Sequence, residues 1–307
     1  MGEAMGPDMS VATAGTLYAV GVGPGDPELV TLKAARVLEA CSVIAAVRSE
    51  GGRSRRGPGG TIGNGERTGA ATALDIAREV VDLADKRIIE LTFAMSHDPE
   101  VLRASHTAAA ETVCAELAAG RDVAMPVLGD PSIYATFHHI KPLVEAAGFR
   151  MQVIPGVPSF CAVAATLGAN LTPTMGTPLH VLPTGYVDVR RALGLPGTKV
   201  FMKAGAPLDE LRDALCEEGL LERAGLVQDC GLPTQMVVRS LAELENAGGT
   251  GIVGADEVGI GIAGADEGET GLEGEAGAGD AAEGADEDET RTSQPQLGGY
   301  FTTVVVG

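Results

Sequence analysis

The chain has 307 residues, of which 45% are hydrophobic and only 3% aromatic with no tryptophan, so an aliphatic core fills one large domain or two of ordinary size. No apolar run approaches the ~20 residues that span a bilayer, and the opening MGEAMGPDMSVATAG does not read as a signal peptide, so the expectation is a disordered lead-in at 1–15, a cytoplasmic protein and no membrane partner. The formal charge of −20 speaks against nucleic acid as a partner, but residues 245–297 hold fourteen acids against the single base Arg291, so −13 of it says little about the active part.

Residues 16–23 (TLYAVGVG) read as an apolar strand running into a Gly/Pro turn, and TLKAARVLEAC continues with apolar side chains at helical spacing. Pro27 and Glu28 sit where a first helical turn tolerates proline and prefers an acid. SVIAAV (42–47) is the next strand, giving a β-α-β unit and a parallel sheet. Residues 48–69 are Gly-rich and basic and read as a mobile loop. A helix over 71–85, a strand over 86–95 and a long helix over 99–120, closed by Gly120, follow. RDVAMPVLGDPSIYATF is strand, loop and helix start, with Tyr134 beginning the helix. FRMQVIPGVPSFCAVAATLG (149–168) is strand, turn and apolar helix.

From HVLPT (180–184) a second half begins, with strands at HVLPTGY, 198–204 and 225–231 and a helix over 208–221. The domain boundary is placed between 142 and 143. Residues 246–298, rich in Gly, Ala, Asp and Glu, cannot bury enough apolar surface to offset the entropy of ordering and read as disordered. They are an insertion rather than a tail, because YFTTVVVG (300–307) is an alternating strand beyond them. The five cysteines (Cys41, Cys114, Cys161, Cys216, Cys230) form no CxxC pair, which argues against a disulfide framework or a zinc site and for small buried hydrophobes in a reducing cytosol.

GVGPGDPEL invites comparison with a dinucleotide-binding loop. That fingerprint needs a third glycine where Asp26 stands and an acid at the end of the second strand, where Arg48 and Ser49 stand. Two of its requirements fail. PVLGDPSIY (126–134), IPGVPS (154–159) and LPTG (182–185) repeat the same strand-then-Gly/Pro design. Four such turns imply a crevice lined by main chain, suited to a flat polar cofactor read by backbone groups.

GVGPGDPELVTLKAARVL and IPGVPSFCAVAATLGANL closely resemble the two signatures of the tetrapyrrole methyltransferases of cobalamin and sirohaem synthesis, which use S-adenosylmethionine. The resemblance covers 16–245 and 299–307, with the Arg-rich loop and the acidic stretch as insertions. LGDPSIYATF, preceded by FAM and followed by LPTGY and FMKAG, is most similar to the precorrin-2 or cobalt-factor II C20-methyltransferases; uroporphyrinogen methyltransferases carry a GGDPFIFGRGGEE-type motif there. The resemblance implies an α/β fold of two domains with an interdomain cleft, distinct from the usual Rossmann methyltransferase, and a homodimer. It places Pro24 at the cleft and gives Leu128, Gly129, Asp130, Ile133, Pro158 and Ser159 contacts with S-adenosylmethionine. Met202 and Gly231 would enclose the adenosine from the second domain. Another methyltransferase of the family, acting at a different ring carbon, is the alternative, and a binding protein reusing the fold is a third reading.

Methyl transfer to an electron-rich ring carbon asks the enzyme mainly for positioning, plus removal of one proton. Tyr134 is the candidate for orienting the ring or assisting deprotonation, with packing at a domain seam as the alternative. Asp130 is expected to fix its turn rather than act as a base. His138 and His139 are consecutive on a helix and point about 100° apart, so they do not chelate a metal jointly; no metal site is expected, and cobalt enters only inside the substrate. The resemblance implies a substrate with many carboxylates, for which Arg48, Arg53, Arg55, Arg56, Lys141 and Lys203 are candidate partners.

Overall fold

The computed structural model describes residues 14–50, 69–205, 208–246, 253–254 and 302–307. Two sheets carry the architecture. The first has five strands: β1 (Thr16–Gly21), β2 (Val43–Glu50), β3 (Arg87–Ala94), β4 (Val123–Val127) and β5 (Arg150–Ile154), in the order β3-β2-β4-β1-β5. Every neighbour pair is parallel. The alternation of the strands explains why helices cover both faces. Leu17, Ala19, Val43, Ala45, Val123 and Met125 pack with α3 (Pro99–Ala118) and α4 (Phe137–Ala146), through Val113, Leu117, Phe137 and Ile140. Val20, Ile44 and Ala124 face the other way, onto α1 (Leu32–Ala40) and α2 (Gly69–Val80), through Ala34, Leu38, Ile76 and Ala77.

The order of the sheet fixes where a crevice opens. From β1 the chain passes over β4 to β2 and on to β3; from β4 it passes over β1 to β5. The adjacent strands β1 and β4 therefore send their connections to opposite faces, and their carboxyl ends part to form a topological switch point.

The second sheet has six strands, β10-β9-β8-β11-β7-β6. These are β6 (Leu179–Pro183), β7 (Thr198–Met202), β8 (Ala224–Gln228), β9 (Met236–Val238), β10 (Val253–Gly254) and β11 (Thr302–Val306). Only β6 and β7 are parallel; the other pairs are antiparallel. β11 lies between β8 and β7 with all five residues buried. The segment that closes the chain thus completes the middle of the sheet. One face is covered by α6 (Val189–Leu193), α7 (Leu208–Glu217) and α8 (Leu241–Asn246). The other takes α5 (Ser159–Leu167), whose Val163 packs with Val200, Val227, Val237 and Val305.

Four expectations change. β5 joins the first sheet, so the boundary expected between 142 and 143 falls inside α4, and the first sheet's share of the chain runs to Ile154. α1 begins at Leu32 rather than at Pro27. Asp26 accepts the Glu28 N–H at 2.8 Å and caps a separate 3-10 turn, Pro27–Leu29, and Thr31 then caps α1 through the Ala34 N–H at 3.1 Å. Cys161 and Cys216 are exposed, whereas Cys41 and Cys230 are buried; all five thiols are free. Within 246–298, residues 253–254 pair with β9 as β10. Most of that stretch, the core of the 48–69 loop and nearly all of 1–15 lie outside the described residues. Among the described residues no helix is long and apolar enough to cross a membrane.

Candidate active site at the switch point

The loops that leave β1, β4 and β5 converge on the switch point through backbone. Val22 donates to the Val127 carbonyl at 3.0 Å; beyond it Gly23 and Gly129 exchange hydrogen bonds, Gly129 N–H to Gly23 O at 2.7 Å and Gly23 N–H to Gly129 O at 3.3 Å. The approach is too close for side chains. A Cβ on Gly156 would lie 2.2 Å from the Gly129 carbonyl oxygen, and one on Gly21 would lie 2.6 Å from the Gly156 nitrogen. Gly129 also approaches the Ser159 nitrogen and Pro158 Cα, at 3.6 Å and 3.9 Å from where its Cβ would stand. Pro158 precedes α5 in extended conformation, and Ser159 is the first helical residue.

Asp130 holds this arrangement. Its carboxylate is buried; Oδ1 accepts the backbone N–H and the hydroxyl of Ser132, and Oδ2 accepts the Gly156 N–H at 2.9 Å. Burial pushes its pKa up, but the three donors outweigh that and hold the carboxyl below its ordinary value of 3.8. An acid so engaged fixes the turns after β4 and β5 and is poorly placed to take up a proton. Ile133 closes the turn by donating to the Asp130 carbonyl at 3.1 Å.

The second sheet meets the site in two places. Gly25 and Asp26 lie against the loop after β8: a Cβ on Gly25 would stand 2.5 Å from the Cys230 carbonyl oxygen, and one on Gly231 would stand 2.6 Å from the Asp26 nitrogen. Gly231 takes φ +78° and donates to Gln235 Oε1 at 2.8 Å. At β6, Val181 accepts the Tyr134 hydroxyl at 2.7 Å. Tyr134 does not begin a helix as expected. It sits at φ +47°, which interrupts the helical path, and α4 begins only at Phe137. Lys203 and Asp229, just beyond β7 and β8, also have positive φ, at 58° and 52°. Of the three non-glycine residues with positive φ among those described, Lys203 and Asp229 directly follow strands and Tyr134 lies in the loop after β4.

Of the residues expected from the sequence, Gly129, Asp130, Pro158 and Ser159 lie together where the loops after β4 and β5 meet, and Gly231 lies against Asp26. Pro24, Gly129 and Asp130 are buried; Leu128, Ile133, Pro158, Ser159, Met202 and Gly231 are half-buried. Met202, at the end of β7, packs against the α5 cluster, and its carbonyl accepts the Thr184 hydroxyl at 2.9 Å. Gly156 and Thr184 were not singled out from the sequence; the PG of IPGVPS and the threonine of LPTG are the signals that point to them. Among the cationic candidates, Arg48 pairs with Glu90 and Lys141 with Glu145, each at 2.6 Å, while Arg53, Arg55 and Arg56 lie outside the described residues. His139 stacks on His106 of α3 with ring centroids 4.5 Å apart, and His138 turns its ring toward Phe137, so the two histidines do not converge. Among the described residues no cluster of three or more His, Cys, Asp or Glu is placed to hold a metal ion.

A five-stranded parallel sheet joined to a mostly antiparallel one, with glycine-bearing loops meeting at the first sheet's switch point, defines a two-part α/β protein. The profile of the tetrapyrrole (corrin/porphyrin) methylases matches residues 16–245, and the chain belongs to that family. It is 32% identical over 241 residues to the precorrin-2 C(20)-methyltransferase of a Sinorhizobium species, covering 76% of this chain and 91% of that one. It is 28% identical to the cobalt-precorrin-2 C(20)-methyltransferase of Salmonella typhimurium, over 76% of this chain and 91% of that one. It also matches the cobalamin biosynthesis protein CobIJ of Mycobacterium tuberculosis at 28% identity, over 74% of this chain but only 43% of that longer protein. Among solved structures, the cobalt precorrin-4 methyltransferase CbiF shares the fold at TM-score 0.54 and 18% identity, over 76% of this chain and 88% of that one. The uroporphyrin-III C-methyltransferase of Thermus thermophilus, complexed with S-adenosylhomocysteine, does so at TM-score 0.52 and 21% identity, over 76% and 86%.

Proposed function

We propose that the chain transfers a methyl group from S-adenosylmethionine to carbon 20 of precorrin-2 or its cobalt form, as a cytoplasmic homodimer. The observation that carries this reading is the LGDPSIYATF loop, whose sequence resembles the C20 enzymes and whose Leu128–Tyr134 portion begins at the switch point. The near full-length match to the Sinorhizobium C20 enzyme supports it. A second reading, transfer at carbon 11, is favoured by two relatives: the precorrin-4 C(11)-methyltransferase of Rhodococcus erythropolis is 28% identical over 81% of its length, and that of Mycobacterium tuberculosis 30% identical over 49% of its length.

The crevice suits the cofactor. The glycines at its rim let the loops after β1, β4 and β5 pack backbone against backbone, so main chain rather than side chains shapes the site. Leu128, Gly129, Asp130, Ile133, Pro158 and Ser159 would hold S-adenosylmethionine from the first sheet, with Pro24 behind them and Met202 and Gly231 from the second. When bound, the sulfonium supplies an electrophilic methyl group. The residues of this chain supply orientation: Asp130 locks the loops after β4 and β5 together, and the Gly23–Gly129 bridge sets the loop after β1 beside them. Fixing two reactants in an attack geometry lowers the barrier by as much as about 7–11 kcal/mol in the best cases.

The test is an anaerobic incubation of the purified protein with methyl-labelled S-adenosylmethionine and, separately, precorrin-2, its cobalt form and precorrin-4. Faster labelling of either precorrin-2 form supports carbon 20, labelling of precorrin-4 alone supports the second reading, and label in none overturns both. Sedimentation at assay concentration checks the dimer.

A further inference from the structure

Tyr134 occupies a conformation that side chains with a Cβ rarely adopt, and something must hold it there. On one side it follows the Asp130 turn, closed by Ser132 and Ile133. On the other its hydroxyl crosses to the second sheet and donates to the Val181 carbonyl of β6, an edge strand, at 2.7 Å. β6 is itself anchored at its end: Thr184 is 2% exposed, and its hydroxyl donates to the Met202 carbonyl of β7. A continuous line of bonds thus joins Gly156, Asp130, the Tyr134 loop, β6 and β7.

A second contact between the halves is of a different kind. Gly25 and Asp26 press against Cys230 and Gly231 mainly through backbone, with Leu232 Cγ and Asp26 Cβ beside them. β8, which leads into that contact, lies three strands from β6 in the second sheet, about 14 Å at ordinary strand spacing. That contact is made mainly by backbone, and α5 adds a third by packing on the second sheet. The first is a single side-chain hydrogen bond at a distance from the second, made by a loop that also carries the proposed cofactor contacts.

We propose that Tyr134 is a positioning residue: a clasp that ties the loop after β4 to β6 and so sets the width of the crevice, with its hydroxyl spent on Val181 rather than on proton transfer. This deepens the methyltransferase reading and rests on it for the meaning of the crevice, but the clasp itself is a property of the free protein. A ligand that needs the narrow crevice binds less tightly, in proportion to the lost population of that state, once the clasp is cut.

The experiment compares wild type with Tyr134→Phe, which removes only the hydroxyl, and Tyr134→Asn, which tolerates positive φ and keeps the fold accessible should the phenylalanine variant not fold. Three readouts are taken: hydrogen exchange of the peptides covering 131–136 and 179–186, the affinity for S-adenosylhomocysteine, and kcat and KM with their pH profiles. The clasp predicts faster exchange in both peptides and not in β1 or β8. It also predicts roughly two- to tenfold weaker affinity, the worth of one hydrogen bond, a matching rise in KM for S-adenosylmethionine, and an unchanged shape of the kcat pH profile. Unchanged exchange in both peptides overturns the proposal. So does a collapse of kcat with affinity intact and a limb of the pH profile lost, which assigns the hydroxyl to proton transfer. Failure of wild type to bind S-adenosylhomocysteine refutes the methyltransferase reading instead, and the exchange comparison alone then decides the clasp.

Discussion

Asparagine at position 130 differs from the native aspartate by one atom and one charge, and the geometry says what that costs. Asparagine keeps an oxygen for Ser132, whose N–H lies 2.8 Å from Oδ1, but sets an NH2 group where Oδ2 now accepts the Gly156 N–H at 2.9 Å. Two donors then face each other at a point where Gly156 is already pressed against the Gly129 carbonyl and cannot withdraw. Leaving that N–H unsatisfied costs about 1–3 kcal/mol. For a protein of this size that lowers Tm by roughly 2–12 °C. The carboxyl titrates below its ordinary value of 3.8 in the folded protein, so its stabilisation is in full force above that value and is lost as pH falls through it toward the folded value. The gap between wild type and Asp130→Asn, measured by thermal unfolding from neutral to acid pH, therefore narrows in acid. Weaker binding of S-adenosylhomocysteine accompanies it. A variant that melts with the wild type at neutral pH yet has lost turnover refutes the structural role and makes Asp130 a chemical participant.

Two further predictions rest on other contacts. Gly156→Ala places a methyl 2.2 Å from the Gly129 carbonyl oxygen and is destabilised by about 1–3 kcal/mol or more, whereas Gly176→Ala, whose added methyl meets nothing within 4 Å, melts near wild type; equal melting of the two contradicts the backbone packing. His106 has its pKa lowered, first by burial and then by the stacked His139, so protonation opposes folding and stability falls as pH drops below about 6.5. His139→Ala raises the His106 value toward 6.5, read by proton NMR titration, and softens that acid loss; an unmoved His106 shows that the stacked ring exerts no such influence.

Three strands of the first sheet were legible because each is an aliphatic run leading into a Gly/Pro turn: Gly21, Gly129 and Gly156 lie at or just beyond the carboxyl ends of β1, β4 and β5. Their meeting was not legible, because nothing in local periodicity says that Gly156 will lie against Gly129. β5 was assigned to the wrong unit for the same reason. A short apolar strand reads alike in either sheet, and α5, directly after it, does pack on the second. The start of α1 was read too early because Pro27 and Glu28 suit a helix start, and here the Asp26 cap uses them in a separate 3-10 turn. Tyr134 was picked out from the sequence for its chemistry, but its positive φ and its reach to Val181 depend on a neighbour 47 residues away. The last strand was read as part of the fold because YFTTVVVG alternates as a strand does, and β11 is the strand that joins the two halves of the second sheet.

The account turns on which ring carbon receives the methyl group. Precorrin-2, with and without cobalt, incubated with the protein and S-adenosylmethionine carrying a carbon-13 methyl, gives a product whose labelled carbon is located by NMR. The account predicts a single new methyl on carbon 20. A label on any other ring carbon, or transfer to precorrin-4 with none to either precorrin-2 form, contradicts it.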